Sequence, residues 1–131
     1  MKEHYAKFEV DYIDTRINWV EQGAVTTVVN DGHCGACWAS STISAIESAH
    51  FISTGKLTAL SNQQLIDCDL HNFGCDGGFM GNAMEYSIDH TLMTKHDYPY
   101  VGHSEGACHW DYENTGVTLV SYVNVVPNNV E

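Results

Sequence analysis

Residues 30–41 read "NDGHCGACWASS", and the fold turns on how this stretch is taken. Cys34 and Cys37 stand three apart, Gly32 and Gly35 lie close by, and Trp38 follows Cys37 directly. The spacing suits a zinc clip, a redox dithiol, or a structural half-cystine beside a reactive thiol. A zinc site needs four ligands, commonly as two close pairs. Here Cys68 and Cys75 lie seven apart, Cys108 is isolated and the histidines are scattered, so no metal site is expected. A redox C-x-x-C normally belongs to a βαβ context and leaves three other cysteines unexplained. The third reading uses all five: one nucleophile and two bridges. Five cysteines allow five choices of the free one and three pairings of the rest, so spacing does not settle the assignment. Position favours Cys37. Apolar residues recur at helical spacing from Cys37 to about Thr54, so Cys37 opens a predicted helix, where unpaired backbone N–H groups favour a thiolate.

Working outward, Ile43, Ile46, His50 and Phe51 mark the inner stripe of that helix, and Gly55 is its stop. Before it, Trp19 reads as a first anchor, and "GAVTTVV" (23–29) as a short extended segment. After it, Ser61 with Gln64 three residues on is a capping-box pattern, predicting a second, short helix. "CDGG" (75–78) is a glycine-rich bend, and residues 79–90 form a third predicted helix. "YPYVGHSEG" (98–106) reads as loop, and the alternation in "GVTLVSYVNVV" (116–126) predicts a strand.

The 131 residues suit one domain, large enough for a modest core but close to the size at which staples matter. Seventeen acidic against five basic residues give a net charge of −12, which argues against nucleic acid as a partner, since phosphate binding needs clustered Lys and Arg. Eight histidines would offset part of that charge in an acidic compartment. No run of about 18 apolar residues is present, so no membrane span is expected. "MKEHYAKFEV" (1–10) lacks the apolar centre of a secretory signal. Bridges nevertheless belong to the secretory route, and the expectation is that the natural N-terminus is missing.

With these motifs in place the chain resembles the papain-like cysteine proteases, of the cathepsin L-like and plant papain-like kind. "CGACW" (34–38) fits the C-G-[SA]-C-[WY] signature of that family. "INWVEQGAVTTVVNDGHCGACW" (17–38) is similar to the family's opening segment, and "IESAHFISTGKLTALSNQQLIDCD" (46–69) to its first-helix exit and second helix. "GCDGGFMGNAMEY" (74–86) resembles its glycine bend and third helix, and "DYPY" (97–100) another landmark. The resemblance implies an α+β fold: a mainly helical left lobe with a long central helix, two shorter helices, disulfide-stapled loops and a short terminal strand, without the right β-barrel lobe. Residues 13–131 would be the left lobe, and 1–12 an N-terminal extension or pro-segment remnant. It implies Cys37 as nucleophile, with Asp31 at the oxyanion-hole position. It implies bridges Cys34–Cys75 and Cys68–Cys108, and a substrate-binding set of Gly35, Trp38, Asp76, Gly77, Gly78, Phe79 and Met80. Gly77 and Gly78 would hydrogen-bond an extended peptide, and Phe79 and Met80 would wall the subsite for the second residue before the scissile bond. Without the resemblance, ordinary helix packing is the simpler reading of Phe79 and Met80.

Three departures stand out. The family's histidine and asparagine lie about 130–150 residues after the cysteine, beyond Glu131. His90 ("IDHTL") and His33 are poor substitutes, the first at a helix end and the second expected to face away. Asp31 stands where the family has a glutamine, and an ionised carboxylate accepts hydrogen bonds but donates none. Ser40 stands where the family has a phenylalanine. The expectation is therefore a fragment or truncated form of a papain-like endopeptidase, inactive alone; the alternative is a non-catalytic pseudoenzyme or a peptide- or partner-binding module. No cofactor is implied. Candidate partners are a peptide or protein substrate, a right lobe and a cystatin-type inhibitor, in a lysosomal, vacuolar or secreted setting.

Overall fold

The apolar stripe that begins at Cys37 forms an 18-residue helix, α1 (Cys37–Thr54). It ends as its sequence dictates: Gly55 takes the left-handed conformation, φ 76°, and its N–H donates to the Phe51 carbonyl. The buried face carries Trp38, Ala39, Thr42, Ile43, Ile46 and Glu47, with His50 and Phe51 half-buried beyond it. Two shorter helices pack against it, α2 (Asn62–Cys68) and α3 (Met80–Asp89), the second preceded by a 3-10 turn at Gly74–Asp76. The computed structural model describes residues 5–6, 15–114 and 116–128. Most of the 1–12 extension therefore lies outside the described residues. Tyr5–Ala6 form β1, a two-residue strand parallel to β2 (Asn124–Val125), with Tyr5 opposite Asn124 and Ala6 opposite Val125. Among the described residues there is no β-barrel, and no helix is long and apolar enough to cross a membrane.

α2 shows why a short polar helix can sit in a core. Ser61 caps it, its Oγ accepting the Gln64 N–H at 3.0 Å. Only this half of the expected capping box forms. The Ser61 N–H donates instead to the Met93 carbonyl, and the Gln64 side chain turns inward. There its Oε1 accepts from the Met93 N–H at 2.7 Å, and its Nε2 donates to the Tyr86 hydroxyl and the Thr91 carbonyl. Gln63 does the same on the other side, accepting from the Val101 N–H and donating to the His103 carbonyl. Both amides are fully buried, and each ties a loop to α2. Burial without such partners would cost about 1–3 kcal/mol per group, and among the described residues no buried side-chain polar atom lacks one.

Two further expectations fail. The 116–126 strand is reduced to the Leu92–Val117 bridge and the two-residue β2. Val117 and Leu119 do pack on the core, and the Leu119 N–H reaches the Ser87 carbonyl. Alternation places these side chains, but a ladder needs a neighbouring strand, and Val120, Val123 and Val125 are exposed. Trp19 is no anchor: 45% of it is exposed, in a turn. The 23–29 segment runs along α1 without a ladder, held by Ser48 Oγ donating to the Ala24 carbonyl and Thr26 Oγ1 donating to Glu47 Oε2 at 2.6 Å.

Candidate active site

Four of the five cysteines are bonded, Cys34 to Cys75 and Cys68 to Cys108. Cys37 is free and exposed. It is the first residue of α1, whose N-cap, Ala36, has no side-chain cap. The Ala39 and Ser40 N–H groups both turn to the Ala36 carbonyl, so the N–H groups of Cys37 and Trp38 are the ones the helix start leaves without a partner among the described residues. Because Cys34 is bonded to Cys75, Cys34 and Cys37 are not a dithiol pair.

Beneath the thiol the chain is held from two sides. Trp38, expected among the substrate-binding residues, is instead a core residue only 1% exposed, its Nε1 donating to the Gly74 carbonyl at 3.1 Å. An indole so deeply packed has no surface left for a substrate. Across from it the Gly35 N–H donates to the Cys75 carbonyl at 2.8 Å, joining the loop before α1 to the glycine bend. Asp76 is exposed on the 3-10 turn, and Gly77 follows with φ 118°. At Gly78 a Cβ would stand 2.6 Å from Asn72 Oδ1 and 2.7 Å from Trp38 Cδ2. Gly78→Ala is therefore expected to cost about 2 kcal/mol, the range of a core overfilled by one methyl, read as a lower urea midpoint at unchanged slope.

Sequence reasoning missed what holds the bend. Asn72 is buried; its Oδ1 accepts the Phe79 N–H at 2.7 Å and its Nδ2 donates to Asp69 Oδ2 at 2.7 Å. Asp69, also buried, accepts the His71 N–H as well. "DLHN" has the look of a surface loop, and nothing in its spacing announces this clamp. Beyond it, Phe79 is 69% exposed and Met80 52% exposed. Ordinary packing of α3 does not account for them; the side chains this helix buries are Ala83, Tyr86 and Ser87.

Asp31 is half-buried, and its side chain lies against α1: Ser40 Oγ donates to Asp31 Oδ1 at 2.7 Å. Asn62 Nδ2 donates to the same Ser40 oxygen at 3.1 Å. The Asp31 carbonyl accepts from the Tyr100 hydroxyl at 2.6 Å. Burial, and secondly the charge of Asp31, push the Tyr100 phenol above its ordinary pKa, so it remains a donor. Ser40 and Asn62 also border a cleft of about 370 Å³ that includes Ile43, Glu47, Leu60 and Lys95. Glu47, 3% exposed, receives the Leu60 N–H as well as the Thr26 hydroxyl. His33 is exposed on the loop before α1. His90 is stacked on Tyr86 with ring centroids 4.2 Å apart, edge-on to Trp110, and its Nδ1 donates to the Tyr86 carbonyl. Among the described residues no His, Cys, Asp and Glu cluster is arranged to hold a metal.

A helical lobe stapled by two disulfides, with its lone free cysteine at the head of the longest helix, defines the cysteine-bearing lobe of the papain-like fold. The chain belongs to the papain family of cysteine proteases, whose family model matches residues 13–131. It is 49% identical over 109 residues to cysteine proteinase 5 of Dictyostelium discoideum, covering 82% of this chain and 31% of that protein. It is 44% identical over 127 residues to the probable cysteine protease RD19C of Arabidopsis thaliana, covering 89% and 34%. Among solved structures, a Carica candamarcensis cysteine protease, CMS1MS2, in complex with E-64, superposes with a TM-score of 0.74 at 39% identity, over 81% of this chain and 49% of that one. The chain thus spans about a third of the length of these curated relatives.

Proposed function

We propose that this chain is the nucleophile-bearing part of a cysteine endopeptidase, with residues 13–131 as its left lobe. One observation carries the reading: the unbonded, exposed cysteine is the residue that opens α1. In the reaction the Cys37 sulfur attacks the peptide carbonyl. A C–S bond forms, the C–N bond breaks, and the amine leaves with a proton from a histidine that this lobe does not supply. Water then attacks the thioester, releasing the acid and restoring the thiol. The open Cys37 N–H is one donor to the oxyanion. Gly77 and Gly78 offer backbone to an extended peptide, and the exposed Phe79 and Met80 favour an apolar residue two before the cleavage point. Asp76 and Gly35 flank that strip. The disulfides and the acidic balance fit a lysosomal, vacuolar or secreted setting, in which a cystatin-type inhibitor is a fitting partner.

A second reading, a peptide- or partner-binding pseudoenzyme, draws on Asp31, whose carboxylate donates nothing to an oxyanion. Alkylation separates the two. At pH 6, iodoacetamide is expected to modify Cys37 in the folded chain at least about tenfold faster than in the urea-unfolded, disulfide-intact chain, because the helix start favours the thiolate. Equal rates would mean a thiol that is not activated, and would support the binding module.

A further inference from the structure

The two positions near the thiol at which this chain departs from the family pattern are bonded to each other. The resemblance implies a glutamine at position 31 and a phenylalanine at position 40; here Ser40 Oγ donates to Asp31 Oδ1 at 2.7 Å. A phenylalanine at position 40 has no hydroxyl to give. Asn62 Nδ2, from α2, donates to the same Ser40 oxygen, which orients its one proton towards Asp31. The backbone of Asp31 is pinned as well, its carbonyl accepting from the Tyr100 hydroxyl and from the Cys34 N–H. Ser40 lies three residues after Cys37, on neighbouring turns of one helix side, so the carboxylate is tied down about one turn from the sulfur.

We propose that Ser40, backed by Asn62, is a positioning residue that anchors the Asp31 carboxylate to the flank of α1 and keeps its charge off the Cys37 sulfur. The proposal rests on the reading of Cys37 as nucleophile. A carboxylate freed of its anchor keeps a short reach and a pinned backbone, so it stays within about one helical turn of the sulfur with its charge no longer taken up by the Ser40 hydroxyl. There it disfavours the thiolate, the species that reacts. The other charged or titratable groups around this network are His33 on the same loop, Asp76 on the glycine bend, Tyr100 on the loop behind Asp31, and Glu47 and Lys95 along the cleft that Ser40 and Asn62 border. None of them is bonded to the Asp31 carboxylate among the described residues.

The test measures iodoacetamide alkylation of Cys37 against pH in the oxidised chain; the reagent is uncharged, so Asp31 does not steer it. Ser40→Ala is expected to lower the rate at pH 6 about threefold, the effect of moving a partly screened charge a few ångströms closer, and to leave the high-pH plateau unchanged. Ser40→Thr, which keeps the hydroxyl, is expected to retain the original profile. In an Asp31→Asn background, Ser40→Ala is expected to change nothing. Asn62→Ala, which removes the backing donor, is expected to shift the profile in the same direction by less. An Ser40→Ala profile identical to the parent's, or an equal loss with and without the Asp31 charge, overturns the proposal. Failure of the underlying reading shows elsewhere: the parent chain itself would react no faster than its unfolded form.

Discussion

Joined to the histidine-bearing lobe of a papain-family relative, the Asp31→Gln variant of this chain is expected to turn over peptide about 10²-fold faster than the same chimera with Asp31. The tetrahedral intermediate places a full negative charge on the former carbonyl oxygen. On the proposed reading the Cys37 N–H is left without a side-chain donor beside it, since the Asp31 carboxylate, bonded to Ser40, donates nothing. Glutamine is one methylene longer and carries an NH₂. Its carbonyl oxygen can still take the Ser40 hydroxyl while the amide nitrogen faces the reacting centre. A hundredfold gain corresponds to about 2.7 kcal/mol of transition-state stabilisation, in the range of a single oxyanion-hole donor. Because the donor meets charge that exists only in the transition state, kcat is expected to rise with KM unchanged. Asp31→Asn serves as the companion variant: it removes the charge without gaining reach, so it is expected to recover only part of the increase. Steady-state kinetics on a peptide with an apolar residue two before the cleaved bond would decide; an Asp31→Gln chimera no faster than its parent would remove Asp31 from the oxyanion hole.

Legibility in the sequence followed the range of the forces involved. α1, α2 and α3 were readable because their periodicity, the Ser61 cap and the Gly55 stop act within a few residues. Residues 116–126 have the right alternation but formed almost no strand, since pairing depends on a partner that alternation does not encode. Gln64 is legible only as the capping-box partner of Ser61, and Gln63 carries no signal; the loops carrying Val101, Thr91 and Met93 make both core residues. Trp38 shows the same limit in reverse, since its place in a functional motif gave no hint that its side chain lies wholly in the core. The cysteine pairing was beyond spacing altogether and came into view through likeness to a family. The bond between Asp31 and Ser40 was invisible for a related reason: each was legible as a departure, but their contact depends on the loop before α1 folding back over its first turn.

The same loop is joined to the glycine bend by the Cys34–Cys75 bond, and its loss carries the second large effect. Cys34→Ala/Cys75→Ala is expected to cost about 4 kcal/mol, from releasing a loop whose ends are 41 residues apart. Small domains have only about 5–15 kcal/mol in total, so this is a substantial fraction. Removing Cys68–Cys108, with a separation of 40, is expected to cost nearly the same, since loop-closure entropy depends only weakly on length. The two variants should differ at the site. Cys34–Cys75 lies beside the Gly35 N–H to Cys75 carbonyl bond and holds the loop before α1 against the glycine bend. Without it the head of α1 frays, and Cys37 alkylation at pH 6 is expected to fall towards the unfolded-chain rate even at urea concentrations well below the midpoint. Cys68–Cys108 instead fastens the end of α2 beside Tyr98, whose hydroxyl donates to Asp67 Oδ2 at 3.0 Å and accepts the His109 N–H. Its removal is expected to lower the urea midpoint by a similar amount and leave Cys37 alkylation unchanged in the folded baseline. Equal loss of alkylation in both variants would show that the thiol depends on overall stability and not on the link between its loop and the bend.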